Sequence, residues 1–177
     1  MPFNLIKRYC DLLEIAHFQP HDRTKSLTGV FKQDIENNPS LKFRSKTIRP
    51  VQKVDPVADM DELFRHLTTQ DDLDANGKKS GSRSFEIDRS QRLHWIKYHI
   101  EEKKTDNIEV FSCVDVTESS GEVIRTYIYD KDKEYIIILE PYRKPGDYYL
   151  ITAYYLNKKQ GKKQIASKMK KKLPEVH

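Results

Sequence analysis

Four runs in the last third of the chain, IEVFSCVDV (108–116), VIRTYIYD (123–130), EYIIILEPY (134–142) and YYLITAYYL (148–156), are dense in β-branched and aromatic residues. Their connections carry Gly121, Asp130-Lys131-Asp132-Lys133 or Pro145-Gly146, residues that reverse a chain over a few positions. Loops this short leave no room for crossover helices, so sequential strands pair as an antiparallel meander. Such a sheet needs cover, and the sequence offers helices on both sides of it.

Before the strands, Asp88 with Gln91 forms a capping pair for a helix running to about Lys103. After them, KKQGKKQIASKMKKKL repeats Ile165, Met169 and Leu173 every four residues, the period of a final amphipathic helix. At the other end, Leu5, Tyr9, Leu12, Leu13 and Ala16 recur at helical spacing over 3–18, and a second segment runs from Asp22 to Ile35 before Asn37-Asn38-Pro39. These predict a helical hairpin, with Asp22 as N-cap of its second arm. LKFRSKTIRPV (41–51) alternates and carries Lys42, Arg44, Lys46 and Arg49, which predicts a basic, half-exposed strand. QDDLDANGKKSGSRS (70–84) is nearly devoid of apolar residues and reads as a connection.

The expected architecture is therefore α+β. It is a four-stranded antiparallel sheet with a preceding helix and a C-terminal helix, plus an N-terminal helical extension. Residues 1–70 form the extension with its basic strand, 71–84 a flexible connection, and 85–177 the main module. At 177 residues the chain suits one principal core. Cys10 and Cys113 lie far apart, which suggests reduced thiols. The absence of an export-like segment or a long apolar run leads to a cytoplasmic assignment and no membrane partner.

Alternation along a strand separates two faces. In 123–130, Ile124, Thr126 and Ile128 share the core side, while Val123, Arg125, Tyr127 and Tyr129 share the other. In 148–156 the same rule groups Leu150, Thr152, Tyr154 and Leu156 against Tyr149, Ile151, Ala153 and Tyr155. With apolar faces in register, Arg125, Tyr127, Thr152 and Tyr154 converge on one surface. An arginine midway along an apolar strand needs a carboxylate, a phosphate or another acceptor if it is buried.

On the helix, Leu93, Ile96 and Ile100 make the apolar stripe and Lys97 flanks it, while His94 and His99 fall on different faces. His66, in FRHLTT, has no sequence signal bringing it near the later strands and reads as structural. No HExxH, GxxxxGK or GxSxG pattern occurs, so no metal or cofactor is expected.

The motifs DRSQRLHWIK, RTYIY and YYLITAYYL, with Arg89, Arg92 and Trp95 at three-residue spacing and a terminal Thr152–Tyr154 strand, resemble the phage-associated relatives of the barnase, EndoU, colicin and RelE group of nucleases. The resemblance covers about residues 83–157. It implies metal-independent, toxin-like RNA cleavage in which the ribose 2′-hydroxyl attacks the adjacent phosphate. That chemistry needs a base, an acid and donors around the phosphate. The resemblance offers His94 as acid or base, Arg125 and Lys97 as phosphate stabilisers, Thr152 and Tyr154 as donors, and Tyr127 as a stacking platform for a base. Arg89 and Arg92 belong to the RNA-binding set, as do Lys162 and Lys163 among eight lysines between Lys158 and Lys172. RNA is the expected partner, with a protein partner or inhibitor as a further one, and oligomeric state is left open. The alternative is a non-catalytic RNA- or protein-binding module of a phage or mobile element.

Overall fold

The structure, a computed structural model, describes residues 2–52, 55–117, 121–142 and 146–177. The four expected strands are present as β5 (Ile108–Thr117), β6 (Gly121–Asp130), β7 (Tyr135–Pro141) and β8 (Asp147–Tyr155), paired antiparallel in sequence order. Pro145, in the expected last turn, lies outside the described residues.

The sheet is not the expected four-stranded antiparallel one. The segment 41–51 folds back on itself as β1 (Lys42–Phe43) and β2 (Lys46–Arg49), turning at Arg44 and Ser45, both at positive φ. Two successive positive φ values give the tight turn whose twist matches a hairpin. β2 then pairs parallel to β8, Thr47 opposite Asp147, making a six-stranded mixed sheet in the order β1-β2-β8-β7-β6-β5. Phe43 and Ile48 enter the core, which is what docks this hairpin at that edge.

The stretch 71–84 also departs from expectation. It belongs to a separate two-stranded hairpin, β3 (Thr69–Leu73) and β4 (Lys79–Phe85). Asp74 closes its turn by accepting from the amides of Asn76 and Lys78, and Gly77 supplies φ +75. Cross-strand charges hold the polar ladder: Asp71 pairs with both Lys79 and Arg83.

The first of the N-terminal helices is shorter than periodicity implies, while the second is helical through Glu36. A 3-10 turn spans Pro2–Ile6, and α1 runs Pro20–Phe31 with Gln19, not Asp22, at its N-cap. Pro20 at the first position sets φ where no amide bond is needed. A π-helical turn, Lys32–Glu36, follows. Asp55 caps α2 (Pro56–Thr68), accepting from the Val57 and Ala58 amides. The helix expected from Asp88 to Lys103 is broken into α3 (Ile87–Ser90) and α4 (Trp95–Ile100), with Glu86 as the cap. The last helix, α5, spans Lys159–Lys170 and buries Ile165 as its pattern requires. No helix among the described residues is long and apolar enough to cross a membrane.

Two apolar clusters lie on opposite faces of the sheet. One joins Leu27, Val30, Leu63, Leu67, Trp95 and Ile96 to Ile128, Ile137 and Ala153; the other joins Phe111, Tyr127, Ile136 and Ile138 to Ile165. Residues from both 1–70 and 85–177 build the first cluster.

At one end of β6 a polar knot ties the layers together. Buried Asp130 accepts from Tyr9 Oη (2.6 Å), His99 Nε2 (2.9 Å) and Lys104 Nζ (2.8 Å). Burial alone pushes this carboxyl up, but the bonds from His99, Lys104 and Tyr9 outweigh it and hold the pKa well below the usual carboxylate range. The stabilisation is thus fully present above the unfolded value near ~3.9 and is lost as pH falls toward the depressed folded value. Asp130→Asn should lower stability by about 3–5 kcal/mol and flatten the acid limb of a urea-denaturation series against pH.

Candidate functional site

A bulge in β8 decides which side chains meet. Ile138 pairs with Thr152 but Leu139 pairs with Leu150, so Ile151 is an extra residue and strict alternation fails there. Leu150 turns to the core with Ala153, and Tyr149 joins the face that carries Thr152, the reverse of the simple pattern. Thr152 and Tyr154 keep the side expected of them, beside Ile138 and Ile136, and Tyr127 lies across from Ile138 on that same face.

Beyond the reach of α5, this face opens into a cleft of about 770 Å³. Arg125 and Thr152 both line it, from β6 and β8. Arg89 enters from α3, Arg83 and Lys79 from β4, and Glu62 and His66 from α2. The polar hairpin is therefore a wall of the site.

Each cation is held. Arg125 Nε lies 3.4 Å from Glu140 Oε2 and its Nη1 3.8 Å from Asp115 Oδ2. Arg83 pairs with Asp71 and donates to Thr69 Oγ1 (2.8 Å) and the Thr69 carbonyl (2.9 Å). Arg89 differs: Nη1 donates to the carbonyls of His66 (2.5 Å) and Thr69 (2.8 Å) and reaches Thr152 Oγ1 at 3.5 Å, and it makes no ion pair among the described residues. Its buried Nε has no hydrogen-bond partner among the described residues. Burial and the neighbouring Arg83 lower the Arg89 pKa, yet a guanidinium keeps its charge. A cation fixed by neutral acceptors at the negative end of a helix retains its appetite for an anion.

His66 Nε2 lies 3.4 Å from Glu62 Oε1, one helical turn back. Burial and the Arg83 charge depress its pKa, and Glu62 offsets them only in part. The imidazole is thus neutral at pH 7. With Glu62 favouring a proton on Nε2, the Nδ1 lone pair is left to accept.

Several expected site residues lie elsewhere. His94 is 6% exposed, in a second cavity, where Nε2 faces the Arg8 carbonyl at 3.2 Å. The N-terminal segment covers the side of this helix that the sequence left open to solvent, which also buries Trp95 and His99. Lys97 shares that second cavity and pairs with Asp34 at 3.4 Å. Tyr127 is 1% exposed, stacked on Phe111 at 5.0 Å with its hydroxyl donating to Asp115, so no base can stack on it. Tyr154 does not line the cleft; its ring lies 5.5 Å from the Arg89 guanidinium. Arg92 packs on Tyr155 (4.2 Å) and Trp95 (5.3 Å). Lys162 pairs with Glu134 at 2.5 Å, while Lys163 is exposed on α5 outside the cleft.

Sequence reasoning missed His66, Glu62 and Arg83. The available signals were Asp55-Pro56 as a helix start, Glu62 four residues before His66, and Asn76-Gly77 as a hairpin turn rather than a slack connection. No group of three or more His, Cys, Asp or Glu residues among the described ones could hold a metal ion.

Comparison with protein-family models, curated proteins and solved structures gave no match.

Burial lowers the His94 pKa, partly opposed by the Arg8 carbonyl. Its share of stability is therefore present above the unfolded value of ~6.5 and declines as pH falls below it. His94→Gln should reduce that decline in thermal melts between pH 7 and 5, and His94→Ala should destabilise the fold by about 1–3 kcal/mol.

Proposed function

We propose that the protein is an endoribonuclease acting at the cleft, with His66 rather than His94 as the proton-transfer group. The observation that carries this reading is that a neutral, carboxylate-oriented histidine lines the same cleft as Arg89, Arg125 and Thr152. A scissile phosphate seated on Arg89 and Thr152 has two donors at its oxygens, and Arg125 supports the charge that develops there.

In the reaction, His66 Nδ1 takes the proton of the ribose 2′-hydroxyl. The 2′-oxygen bonds to phosphorus, the bond from phosphorus to the 5′-oxygen breaks, and that oxygen takes a proton from solvent. The products are a 2′,3′-cyclic phosphate and a free 5′-hydroxyl, with no net redox change and no metal needed. Glu62 orients the ring and offsets the positive charge that His66 acquires. The carboxylates beside Arg83 and Arg125 fix those guanidinium groups in place before substrate arrives.

Labelled RNA incubated with the protein and excess chelator should yield fragments with cyclic-phosphate ends. His66→Gln should cut kcat by roughly 10²–10⁴-fold with little change in RNA affinity, and Arg89→Gln should weaken binding as well as rate. RNA binding without cleavage, unchanged in His66→Gln, would favour the non-catalytic module instead. Because the His66 pKa is depressed, the acid limb of kcat/KM should fall below the ordinary histidine value of ~6.5, and Glu62→Gln should move it lower still, since the carboxylate raises that pKa.

A further inference from the structure

The second cavity, about 470 Å³, lies between the N-terminal segment, the π-helical turn and α4 with the residues that follow it. Its volume is within the range of small-molecule sites, roughly 300–1,000 Å³. Three separate stretches of chain bring cations to its lining: Lys7 and Arg8, then Lys97, then Lys103. The lining holds one carboxylate, Asp34, which pairs with Lys97. Lys7 and Lys103 are tethered to Glu14 (2.7 Å) and Glu101 (2.5 Å), which are not part of the lining. Arg8 is exposed and makes no ion pair among the described residues.

Two further features distinguish this cavity from a patch of surface lysines. His94, 6% exposed, stands in its wall, with Nε2 facing the Arg8 carbonyl at 3.2 Å. Tyr9 and Tyr98, stacked at 4.4 Å and nearly parallel, give the lining a flat aromatic side.

We propose that this cavity binds a phosphate-bearing small molecule of nucleotide size. The phosphate lies between Arg8, Lys97 and Lys103, where cations from separate elements suit a group with more than one negative charge. The organic part lies against the Tyr9–Tyr98 side, beside the His94 wall. Since the N-terminal segment and α4 would be bridged by the ligand, occupancy stabilises the fold by mass action. The site is separate from the cleft and does not depend on the nuclease reading.

Pyrophosphate, AMP and adenosine titrated into the full chain, followed by thermal melts and by the ring resonances of His94, test this directly. Pyrophosphate and AMP should raise Tm and move the His94 signals at sub-millimolar concentration, whereas adenosine should do neither. The double variant Arg8→Gln/Lys103→Gln alters two side chains at the cavity rim; it should melt like the parent without ligand and bind AMP at least tenfold more weakly. No response to either phosphate compound at millimolar concentration, or undiminished AMP affinity in the double variant, overturns the proposal. So does a short RNA that binds here with the same residue dependence while AMP does not.

Discussion

Strand β7 is buried at five consecutive residues, Tyr135 to Leu139, and the rest of the molecule follows from the need to cover both of its sides. A strand with one wet face alternates; this one cannot. The N-terminal helices, α2 and α4 shield one side, and α5 shields the other through Ile165 and Met169. α5 leaves part of its side uncovered, and there Arg125, Glu140 and Thr152 meet the α2 and hairpin walls. The cleft takes its lining from both layers, since Leu63 and Leu150 of the first cluster reach it as well.

Local pattern reported the strands well because their chemistry is local: β-branched and aromatic runs, then Gly or charged turns. It reported the main sheet's edge badly. β2 is joined to β8 by pairing between residues a hundred positions apart, and nothing in LKFRSKTIRPV names its partner. Face assignment followed the same division. Thr152 and Tyr154 were legible from alternation, whereas Leu150 and Tyr149 were not, because one bulged residue reverses the count. His94 lies away from the cleft for a different reason: amphipathic reading assumes one wet side, and the N-terminal segment returns to cover it.

The cleft is close to charge balance, and its character comes from how each cation is held. Arg83 and Arg125 are braced by carboxylates, which gives position at the expense of net charge. Arg89 is braced by carbonyls at the end of α2, including that of His66 itself. One guanidinium thus links the backbone of the histidine to the hydroxyl of Thr152, adding a polar tie between α2 and β8, which already pack through Leu63, Leu67, Leu150 and Ala153.

The parallel seam between β2 and β8 also has a consequence for synthesis. A ribosome delivers the β1–β2 hairpin long before Asp147 to Tyr149 exist, so its outer edge waits unpaired while most of the meander is made. Closure of the sheet is consequently a late event, and nascent chains halted before β8 should expose a two-stranded, lysine- and arginine-studded ribbon. Those basic side chains, Lys42, Arg44, Lys46 and Arg49, repel a second such ribbon and so guard the edge against pairing between growing chains.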